Sequence, residues 1–509
     1  MKEIIYVLDF GSQYSHLIVR RIRELGVFSE LVPHNARLDL LRQARGLVIS
    51  GGPRNLSGRG ALSLDRRVYS LGLPILGICY GLQLMARDFG GRVVAGKKRE
   101  YGPMPVSIRR AGSLFTGLGK TELTWMSHGD QVRRLPRGFV CLAESANCRV
   151  AAMADEKRKF YGLQFHPEVT QTEHGQKILA NFIKITGAKK SWSMRGFVQK
   201  QMKIIKDQVG TDRVVSALSG GVDSSVAATL VHWAIGKKLH CILVDTGMMR
   251  QNEVAQIIKT FWSYQKINLK VVNAEREFLS KLRGVVDPEK KRKIIGELFI
   301  RIFEREAKKI GGAKWLLQGT LYTDAITSGV SVGKKAAVIK SHHNVGGLPE
   351  KYGFKLLEPF RELYKDEVRK IGRLLGLPQE IVARQPFPGP GLAVRIIGSV
   401  TREKLEIVRQ ADWIVREEIE KAGWHKQSQQ YFSVLPNVKS VGVQGDARTY
   451  GYPIIVRAVT TKDFMTADWT RLPHELLARI SSRITNEIKG VNRTLYDITS
   501  KPPGTVEWE

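Results

Sequence analysis

Apolar runs rich in isoleucine and valine alternate with polar or amphipathic segments along most of the chain. A first series contains EIIYVLDF, RGLVISGGP and LPILGICYG, and a second series begins with RVVSALSGG and HCILVDTG. Alternation of this kind is typical of a parallel sheet flanked by helices. The pattern therefore predicts an α/β fold with two parallel-sheet domains.

Two segments that lack this periodicity divide the chain. TGAKKSW is a predicted linker, and RQPFPGPGL is a predicted loop because its prolines exclude a helix interior or a central strand. Beyond it, VKSVGVQGD, YPIIVRAVT and RTLYDITS are predicted strands, with a helix around ELLARISSRITNEIKG. We predict three domains, at residues 1–190, 195–385 and 386–509, of which the last is a smaller α+β domain.

The composition is that of an ordinary globular chain. Its 509 residues suit about three domains, and no apolar run is long enough to span a bilayer. The N-terminus carries Glu3 and Asp9 within its first apolar run and has no small-residue cleavage site, unlike a signal peptide. Four cysteines without a CxxC pair are too few for a disulfide scaffold, so we expect a cytoplasmic location.

The net charge is strongly positive, because 81 lysines and arginines outnumber 48 aspartates and glutamates to give +33. Such a field attracts anions of every kind, including nucleotides and nucleic acids. The basic residues are spread along the chain rather than gathered in one tail. We therefore favour a generally basic, solvated surface over a nucleic-acid partner.

A candidate nucleophile follows the third apolar run. Cys79 lies between Gly77 and Gly81, and glycines at this spacing permit the sharp strand-to-helix turn that exposes a nucleophilic side chain. The start of the following helix would favour the reactive thiolate. A small core cysteine beside a tight turn explains this window equally well.

His166 and Glu168 favour the catalytic alternative. They lie two residues apart in the apolar segment YGLQFHPEV, and alternate side chains of an extended strand share a face. The Glu168 carboxylate can then orient the His166 imidazole and stabilise its charged form. Taken alone, such a pair is more often two solvent-exposed polar residues.

Together with VISGGP, these motifs resemble the class I, or triad, glutamine amidotransferase family over roughly the first 190 residues. The resemblance implies that Cys79 attacks the glutamine side-chain amide, forms a glutamyl thioester and releases ammonia. His166 would transfer the proton, and Glu168 would hold His166. The backbone N–H groups of Gly52 and Tyr80 would be the oxyanion donors.

A second chemical motif is SGGVDSS, which offers backbone N–H groups, hydroxyls and a helix N-terminus to a phosphate-like anion. It is not a Walker A loop, which needs a lysine and a longer turn. Asp223 would repel the anion without an intervening cation, so Mg²⁺ is implied. The alternative is a glycine turn capped by Asp223 and the serines.

This motif matches the signature of the N-type ATP pyrophosphatases, whose loop binds the pyrophosphate half of ATP. The resemblance implies an adenine nucleotide alpha hydrolase-like domain and cleavage between the α- and β-phosphates. Asp245 and the segment LLQGT end two further apolar runs, where an open α/β sheet places ligands. The implied ATP-binding residues are Ser219, Gly220, Gly221, Val222, Asp223, Ser224 and Ser225, with Asp223 as the metal ligand.

Further segments, including WMSHGD, YKDEVRKIGRLLGLP and KPPGTVEWE, resemble the glutamine-hydrolysing GMP synthase family across essentially the whole chain. The resemblance implies a ligase that adenylylates xanthosine monophosphate (XMP) with ATP, after which ammonia displaces AMP to give GMP. It also implies that the C-terminal domain mediates a homodimer. The implied XMP contacts are Arg250, Gln429, Asp446, Lys501 and Glu507.

Two other functions stay open. An RNA-modifying ATP pyrophosphatase would share the second motif and the basic charge. A degenerate nucleotide-binding relative is suggested by Thr327, which stands where the family has a glutamate. Lys340 is a candidate stabiliser of the phosphoryl transition state, whereas a capping or solvent-exposed role for Lys365 fits at least as well as a catalytic one.

Overall fold

A computed structural model describes residues 2–324 and 354–509, apart from positions 54, 57, 59, 462, 463 and 465. The chain divides into two compact units, Met1–Gly196 and Phe197–Glu509. The boundary at 385 falls inside the second unit, and the division into three domains stays a prediction. Among the described residues, no helix combines the length and the apolar character that crossing a membrane requires.

Unit 1 is built on one nine-stranded sheet. Its strands are β1 Ile4–Asp9, β2 Phe28–Pro33, β3 Gly46–Ile49, β4 Ile75–Ile78, β5 Arg92–Ile108, β6 Thr121–Arg134, β7 Val140–Ser145, β8 Ala152–Asp155 and β9 Phe160–Leu163. They are ordered β2-β1-β3-β4-β9-β8-β7-β5-β6. Neighbours from β2 to β9 are parallel, and those from β9 to β6 are antiparallel.

The continuous apolar runs of unit 1 follow from burial on both faces. Every residue from Ile4 to Leu8 is buried, so side chains that point to opposite sides of β1 all lie in the core. On the first helix, Ile18, Val19 and Ile22 form the buried stripe. The helices of this unit are α1 Ser15–Glu24, α2 Leu38–Leu41, α3 Tyr80–Asp88 and α4 Gly175–Thr186, and α5 Met194–Val209 begins at the boundary between the units.

Unit 2 begins with a five-stranded parallel sheet. Its strands, ordered β12-β11-β10-β13-β14, are β10 Arg213–Ala217, β11 Leu239–Asp245, β12 Asn268–Asn273, β13 Ala313–Leu317 and β14 Lys355–Leu357. The accompanying helices are α6 Val222–Ile235, α7 Glu253–Ile258, α8 Glu275–Leu282, α9 Pro288–Ala307, α10 Lys365–Leu374 and α11 Gln379–Val382.

The C-terminal part of unit 2 is a mixed sheet centred on one long strand. Its elements are α12 Arg402–Lys421, β15 Gln430–Val434, β16 Ser440–Gln444, β17 Ala447–Thr460, β18 Asp468–Trp469, α13 His474–Glu487 and β19 Val491–Asp497. β17 pairs antiparallel with β15, β16 and β18 and parallel with β19. One hydrophobic cluster joins Ile242 of the parallel sheet to Val408, Ile454 and Ile480.

The predicted α/β fold class is confirmed. Each apolar run named from the sequence forms a strand, and the predicted C-terminal helix is α13. The predicted linker TGAKKSW begins at Thr186, the last residue of α4, and ends before α5. RQPFPGPGL follows α11 and leads into a short 3₁₀ helix at Gly391–Arg395.

Candidate active site

Cys79 occupies a sharp turn between β4 and α3 of unit 1. Its φ of +54° is unusual for a side-chain-bearing residue and lies in the left-handed region. A Cβ atom at Gly77 would lie 2.5 Å from the backbone carbon of Gly81, and one at Gly81 would lie 2.3 Å from the Ile49 carbonyl oxygen. Only glycine fits at either place, so the elbow expected from the sequence is sterically enforced.

His166 and Glu168 form a buried ion pair, with His166 Nδ1 2.7 Å from Glu168 Oε1. The sequence places them on an extended strand, but β9 ends at Leu163 and the pair lies in the turn that follows. Thr172 stabilises this turn, since its hydroxyl donates to the His166 carbonyl at 2.6 Å. A tight turn therefore brings together side chains that were expected to meet through strand alternation.

The electrostatics of His166 suit an acid–base group. Burial alone lowers the pKa of this imidazole, but the Glu168 carboxylate and a hydrogen bond to Cys79 outweigh burial and hold the pKa well above its usual range. The ring of Tyr14 packs edge-on against His166, with centroids 5.1 Å apart. The structure thus brings the three predicted triad residues to one buried place.

The predicted oxyanion residues lie beside this triad. A Cβ atom at Gly52 would lie 3.4 Å from the Tyr80 ring and 3.1 Å from the Phe10 carbonyl oxygen, and one at Gly51 would lie 3.3 Å from His166 Cε1. A side chain at either glycine would therefore crowd its neighbours, so the backbone of this loop lies close to both Tyr80 and the imidazole.

The SGGVDSS loop of unit 2 links the end of β10 to the start of α6. The Ser219 and Ser224 hydroxyls lie 3.0 Å apart, and Ser224 also donates to the Gly221 carbonyl at 3.1 Å. Gly220 has a φ of +75°, and a Cβ atom there would lie 2.4 Å from Ile257 Cδ1. The helix N-terminus that the sequence predicts in this motif is present, because α6 begins at Val222 and Asp223 lies in its first turn.

Asp223 is the carboxylate of this loop and the residue that the sequence predicts as a metal ligand. Its Oδ1 is buried and, among the described residues, has no hydrogen-bond partner, while Oδ2 lies 3.2 Å from Lys365 Nζ. A carboxylate with one unused buried oxygen suits a hard cation such as Mg²⁺. A Cβ atom at Gly319 would lie 3.1 Å from the backbone carbon of Asp223, so the LLQGT strand end abuts the same loop.

Two basic residues that the sequence does not assign to the SGGVDSS loop contact it in the structure. For Lys365, the sequence is compatible with a capping or solvent-exposed role at least as well as with a catalytic one, and the structure shows that its ammonium reaches Asp223 from the start of α10. Arg384 Nη1 donates to the Gly220 carbonyl at 2.5 Å, and its guanidinium also pairs with Glu253. A lysine at the first position of an amphipathic helix was the available signal for Lys365, but helix periodicity explained that position as well.

Two of the residues predicted to contact XMP belong to a buried charge network. Arg250 Nε lies 3.2 Å from Asp412, which also accepts from Arg395 at 2.9 Å. Arg395 donates in turn to both carboxylate oxygens of Glu507, at 3.2 and 3.1 Å. Arg250 is only 4% exposed, and burial lowers its pKa to about 9. Its side chain therefore lies in the core of unit 2, and not on an open surface.

Two others flank one loop of the C-terminal sheet. Gln429 Oε1 accepts from the Thr461 backbone N–H at 2.8 Å, and Lys501 Nζ donates to the Phe464 carbonyl at 2.7 Å. Asp446 lies apart from them, in the turn before β17, whereas Gln429 pairs with Val459 near the other end of that strand. At about 3.3 Å per residue, the two positions are roughly 40 Å apart along β17.

Thr327 and Lys340 lie outside the described residues. The departure from the family pattern at Thr327 therefore rests on the sequence alone. Asp324 is described, and its Oδ2 accepts from the Leu321 backbone N–H at 3.1 Å.

The site geometry defines a class of protein with two chemical centres, a cysteine-dependent amidotransferase unit and a unit with an ATP pyrophosphatase loop. Three family models match successive stretches of the chain. The model for class-I glutamine amidotransferases matches residues 6–185, that for NAD synthase matches residues 197–292, and that for the GMP synthase C terminal domain matches residues 417–508.

Several curated proteins match the full chain. It is 55% identical to a glutamine-hydrolyzing GMP synthase of Carboxydothermus hydrogenoformans and 54% identical to one of Geobacillus kaustophilus, with 100% of each chain covered in both cases. A third, from Symbiobacterium thermophilum, is 55% identical over 100% of this chain and 99% of the relative. The chain belongs to the family of glutamine-hydrolysing GMP synthases.

Proposed function

We propose that the chain makes GMP from XMP in two coupled half-reactions, each assigned to one unit. It is a carbon–nitrogen ligase that uses glutamine as the amide donor. Unit 1 hydrolyses glutamine to glutamate and ammonia. Unit 2 transfers AMP from ATP to the 2-oxygen of XMP with release of pyrophosphate, and ammonia then displaces AMP to give GMP.

The observation that carries the first half-reaction is the joint placement of Cys79, His166 and Glu168. The Cys79 thiolate would attack the glutamine amide, and His166 would donate a proton to the departing ammonia. His166 would then take a proton from the water that hydrolyses the thioester, and Glu168 would stabilise the imidazolium in both steps. The N–H groups of Gly52 and Tyr80 would bind the oxyanion.

The second half-reaction rests on the loop Ser219–Ser225. Its hydroxyls, its backbone N–H groups and the first turn of α6 would bind the pyrophosphate half of ATP. Asp223 would hold Mg²⁺, which neutralises phosphate charge when bound. Lys365 would exchange its contact with Asp223 for the leaving pyrophosphate, because its ammonium already lies beside the loop.

Four of the proposed XMP contacts lie at one loop or in one charge network of the chain, and Asp446 lies apart from them. Gln429 and Lys501 border one loop, and Glu507 is oriented by Arg395 and by Gln430, whose Nε2 donates to it at 2.6 Å. Arg250 would act through the buried network that ends at Glu507, since its own side chain is enclosed. Asp446 could join these residues only from a second copy of the chain.

A homodimer is therefore part of the proposal. The hairpin of β16 and β17 exposes apolar side chains, with Val441, Val443 and Tyr450 at 47%, 74% and 62% exposure. Light scattering of the purified chain should give twice the mass of one chain. Val443→Glu should shift the mass toward one chain, and an unchanged dimer in that variant would reject this face as the interface.

The division of labour is tested by Cys79→Ala, with Cys241→Ala as the matched control because Cys241 is a buried thiol of the other unit. The first variant should lose glutamine-dependent GMP formation and keep synthesis from added ammonium salt. The control should keep both. Equal loss with both nitrogen sources in Cys79→Ala would reject the assignment of Cys79 to glutamine hydrolysis alone.

The role of Asp223 is tested by Asp223→Asn with ammonium salt as the nitrogen source. Release of AMP and pyrophosphate should fall, and raising the Mg²⁺ concentration should recover part of it. Asp207→Asn, which removes a carboxylate from α5, is the control. Unchanged release in Asp223→Asn would exclude this residue as the metal ligand.

A further inference from the structure

One arginine of unit 2 joins the SGGVDSS loop to the turn that follows β11. Arg384 Nη1 donates to the Gly220 carbonyl at 2.5 Å, and the same guanidinium forms an ion pair with Glu253 Oε1. The second oxygen of that carboxylate, Oε2, accepts from the Arg250 backbone N–H at 2.8 Å. The arginine and glutamate side chains are only 14% and 4% exposed. A buried bridge of two side chains therefore links the loop proposed for ATP to the segment that carries a proposed XMP contact.

The bond to Gly220 sets the direction of the next N–H group of the loop. In a planar trans peptide the carbonyl and the N–H point in opposite directions. Because the Gly220 carbonyl is directed to Arg384, the Gly221 N–H is directed away from that guanidinium. Its nitrogen lies 3.4 Å from the Ser219 hydroxyl, which lies 3.0 Å from the Ser224 hydroxyl. The guanidinium thus fixes a peptide whose N–H faces the hydroxyls proposed to bind pyrophosphate.

Glu253 fixes the other end of the bridge. It is the first residue of α7, and its backbone N–H donates to the Arg250 carbonyl at 3.2 Å. Together with the side-chain bond to the Arg250 N–H, this closes the turn before α7 from both sides. The Arg250 side chain enters the buried network through Asp412. The carboxylate that pairs with Arg384 therefore also holds the turn from which the network starts.

The segment RQPFPGPGL, which begins at Arg384, makes a second connection between the same two places. Gln385 Oε1 accepts from the Tyr431 backbone N–H of β15 at 3.0 Å. Three positions after the arginine, the ring of Phe387 packs against the Arg250 guanidinium, whose Cζ lies 4.4 Å from the ring centroid. The segment thus contacts the ATP loop with its first residue and the charge network with its fourth.

We propose that Arg384 is a positioning residue that couples the two nucleotide sites of unit 2. With Glu253, it holds the SGGVDSS loop and the turn at Arg250 in one arrangement, so binding of either nucleotide favours binding of the other. The inference rests on the proposed function, which assigns ATP to the loop and XMP to the network that starts at Arg250. Such coupling is reciprocal, because each ligand must change the affinity for the other by the same factor.

The proposed reaction explains why such a bridge is useful. Transfer of AMP to XMP requires the 2-oxygen of XMP and the α-phosphorus of ATP to lie about 3–3.5 Å apart and in line. A guanidinium that fixes both binding segments sets this separation without contacting either nucleotide. The planar fork of arginine suits the task, because it presents donors to two partners in a fixed geometry.

The test uses Arg384→Lys, which keeps the charge beside Glu253 but loses the fork that holds two partners. Glu253→Gln keeps the size of the carboxylate and removes its charge. Arg301→Lys, on an exposed position of α9, is the matched control. Isothermal titration calorimetry of the full chain with Mg²⁺ gives the Kd of α,β-methylene ATP, which is not cleaved, without XMP and with saturating XMP. The reciprocal titration gives the Kd of XMP without and with the ATP analogue.

In the wild-type chain and in Arg301→Lys, XMP should lower the Kd of the ATP analogue by about five- to hundredfold. In Arg384→Lys this factor should fall to about twofold or less, while the Kd of XMP alone stays close to that of wild type. Glu253→Gln should reduce the factor in the same direction. The double variant should lose no more coupling than the more affected single variant, because both substitutions break one bridge.

A coupling factor in Arg384→Lys equal to that of the control would overturn the proposal, even if both affinities fell, because a purely structural role weakens binding and stability without changing this ratio. The proposal is equally overturned if XMP leaves the Kd of the analogue unchanged in the wild-type chain. If Arg384→Lys does not fold, Glu253→Gln carries the same comparison. Failure of the wild-type chain to bind the ATP analogue at all would instead reject the proposed function, so the two failures are distinguishable.

Discussion

Replacing Glu168 by glutamine is the sharpest test of how unit 1 works. The substitution keeps the shape of the side chain and an oxygen that can accept from His166 Nδ1, but it removes the negative charge. Glu168 is 1% exposed and His166 3% exposed, so water cannot substitute for the lost carboxylate. The variant therefore isolates the charge of Glu168 from its packing.

The size of the effect follows from the 2.7 Å contact. With about 4 Å between the charge centres and an effective dielectric constant of about 20, the attraction is about 4 kcal/mol. The amide retains the hydrogen bond and thus part of this energy. We expect about hundredfold slower glutamine hydrolysis near neutral pH, which corresponds to about 2.7 kcal/mol of activation free energy.

The assay is glutamine-dependent GMP synthesis against pH, with synthesis from ammonium salt as the internal reference. Glu173→Gln is the matched control, because Glu173 is an exposed carboxylate five positions away. A loss of less than about threefold in Glu168→Gln would refute the reasoning, since the charge would then not stabilise the imidazolium. An equal loss with ammonium salt would place the damage outside glutamine hydrolysis.

Three further outcomes are expected. Folding raises the pKa of His166. Its pair with Glu168 therefore stabilises unit 1 fully below the ordinary imidazole pKa of about 6.5, and progressively less as pH rises through the folded-state value. The free energy of unfolding, measured by chemical denaturation, should fall with rising pH in this range, and should fall less steeply in Glu168→Gln. Gly81→Ala should destabilise the fold by about 3 kcal/mol in the same measurement, unlike Gly296→Ala, whose Cβ meets open space. Lys365→Met should raise the KM for ATP several-fold with either nitrogen source. It should leave the melting temperature unchanged, because an exposed ion pair contributes about 1 kcal/mol or less. Lys370→Met on the same helix is the control, and an unchanged KM in Lys365→Met would remove Lys365 from the ATP site.

The candidate sites were predictable where their geometry is local. Gly77 is required because a Cβ there would meet the backbone of Gly81, and Gly220 has a positive φ, so these constraints are visible in a short window of sequence; the close approaches of Gly81 to Ile49 and of Gly220 to Ile257 are not. The placement of His166 and Glu168 was right in outcome but wrong in mechanism. Their contact comes from a turn held by Thr172, and no period of apolar residues signals that turn.

Contacts between distant segments were beyond such reasoning. Lys365 and Asp223 are 142 positions apart in the chain, and the helical pattern around Lys365 is satisfied whether or not its ammonium has a partner. Arg250 shows the reverse case. The family resemblance implies that Arg250 contacts XMP, and the structure adds that Asp412 holds its guanidinium in a buried pair that depends on the packing of α12.

By itself, the sequence determined the alternation of strands and helices, the two turns that display the reactive groups, and the membership of the chain in a family with both activities. These properties depend on periodic burial and on steric limits that act over a few residues. The tertiary structure alone decided which polar groups meet. It set the Lys365 ammonium beside one oxygen of Asp223 and, among the described residues, left the other oxygen without a hydrogen-bond partner. Hydrogen bonds and ion pairs act over about 3 Å, so they are settled only when distant segments have packed.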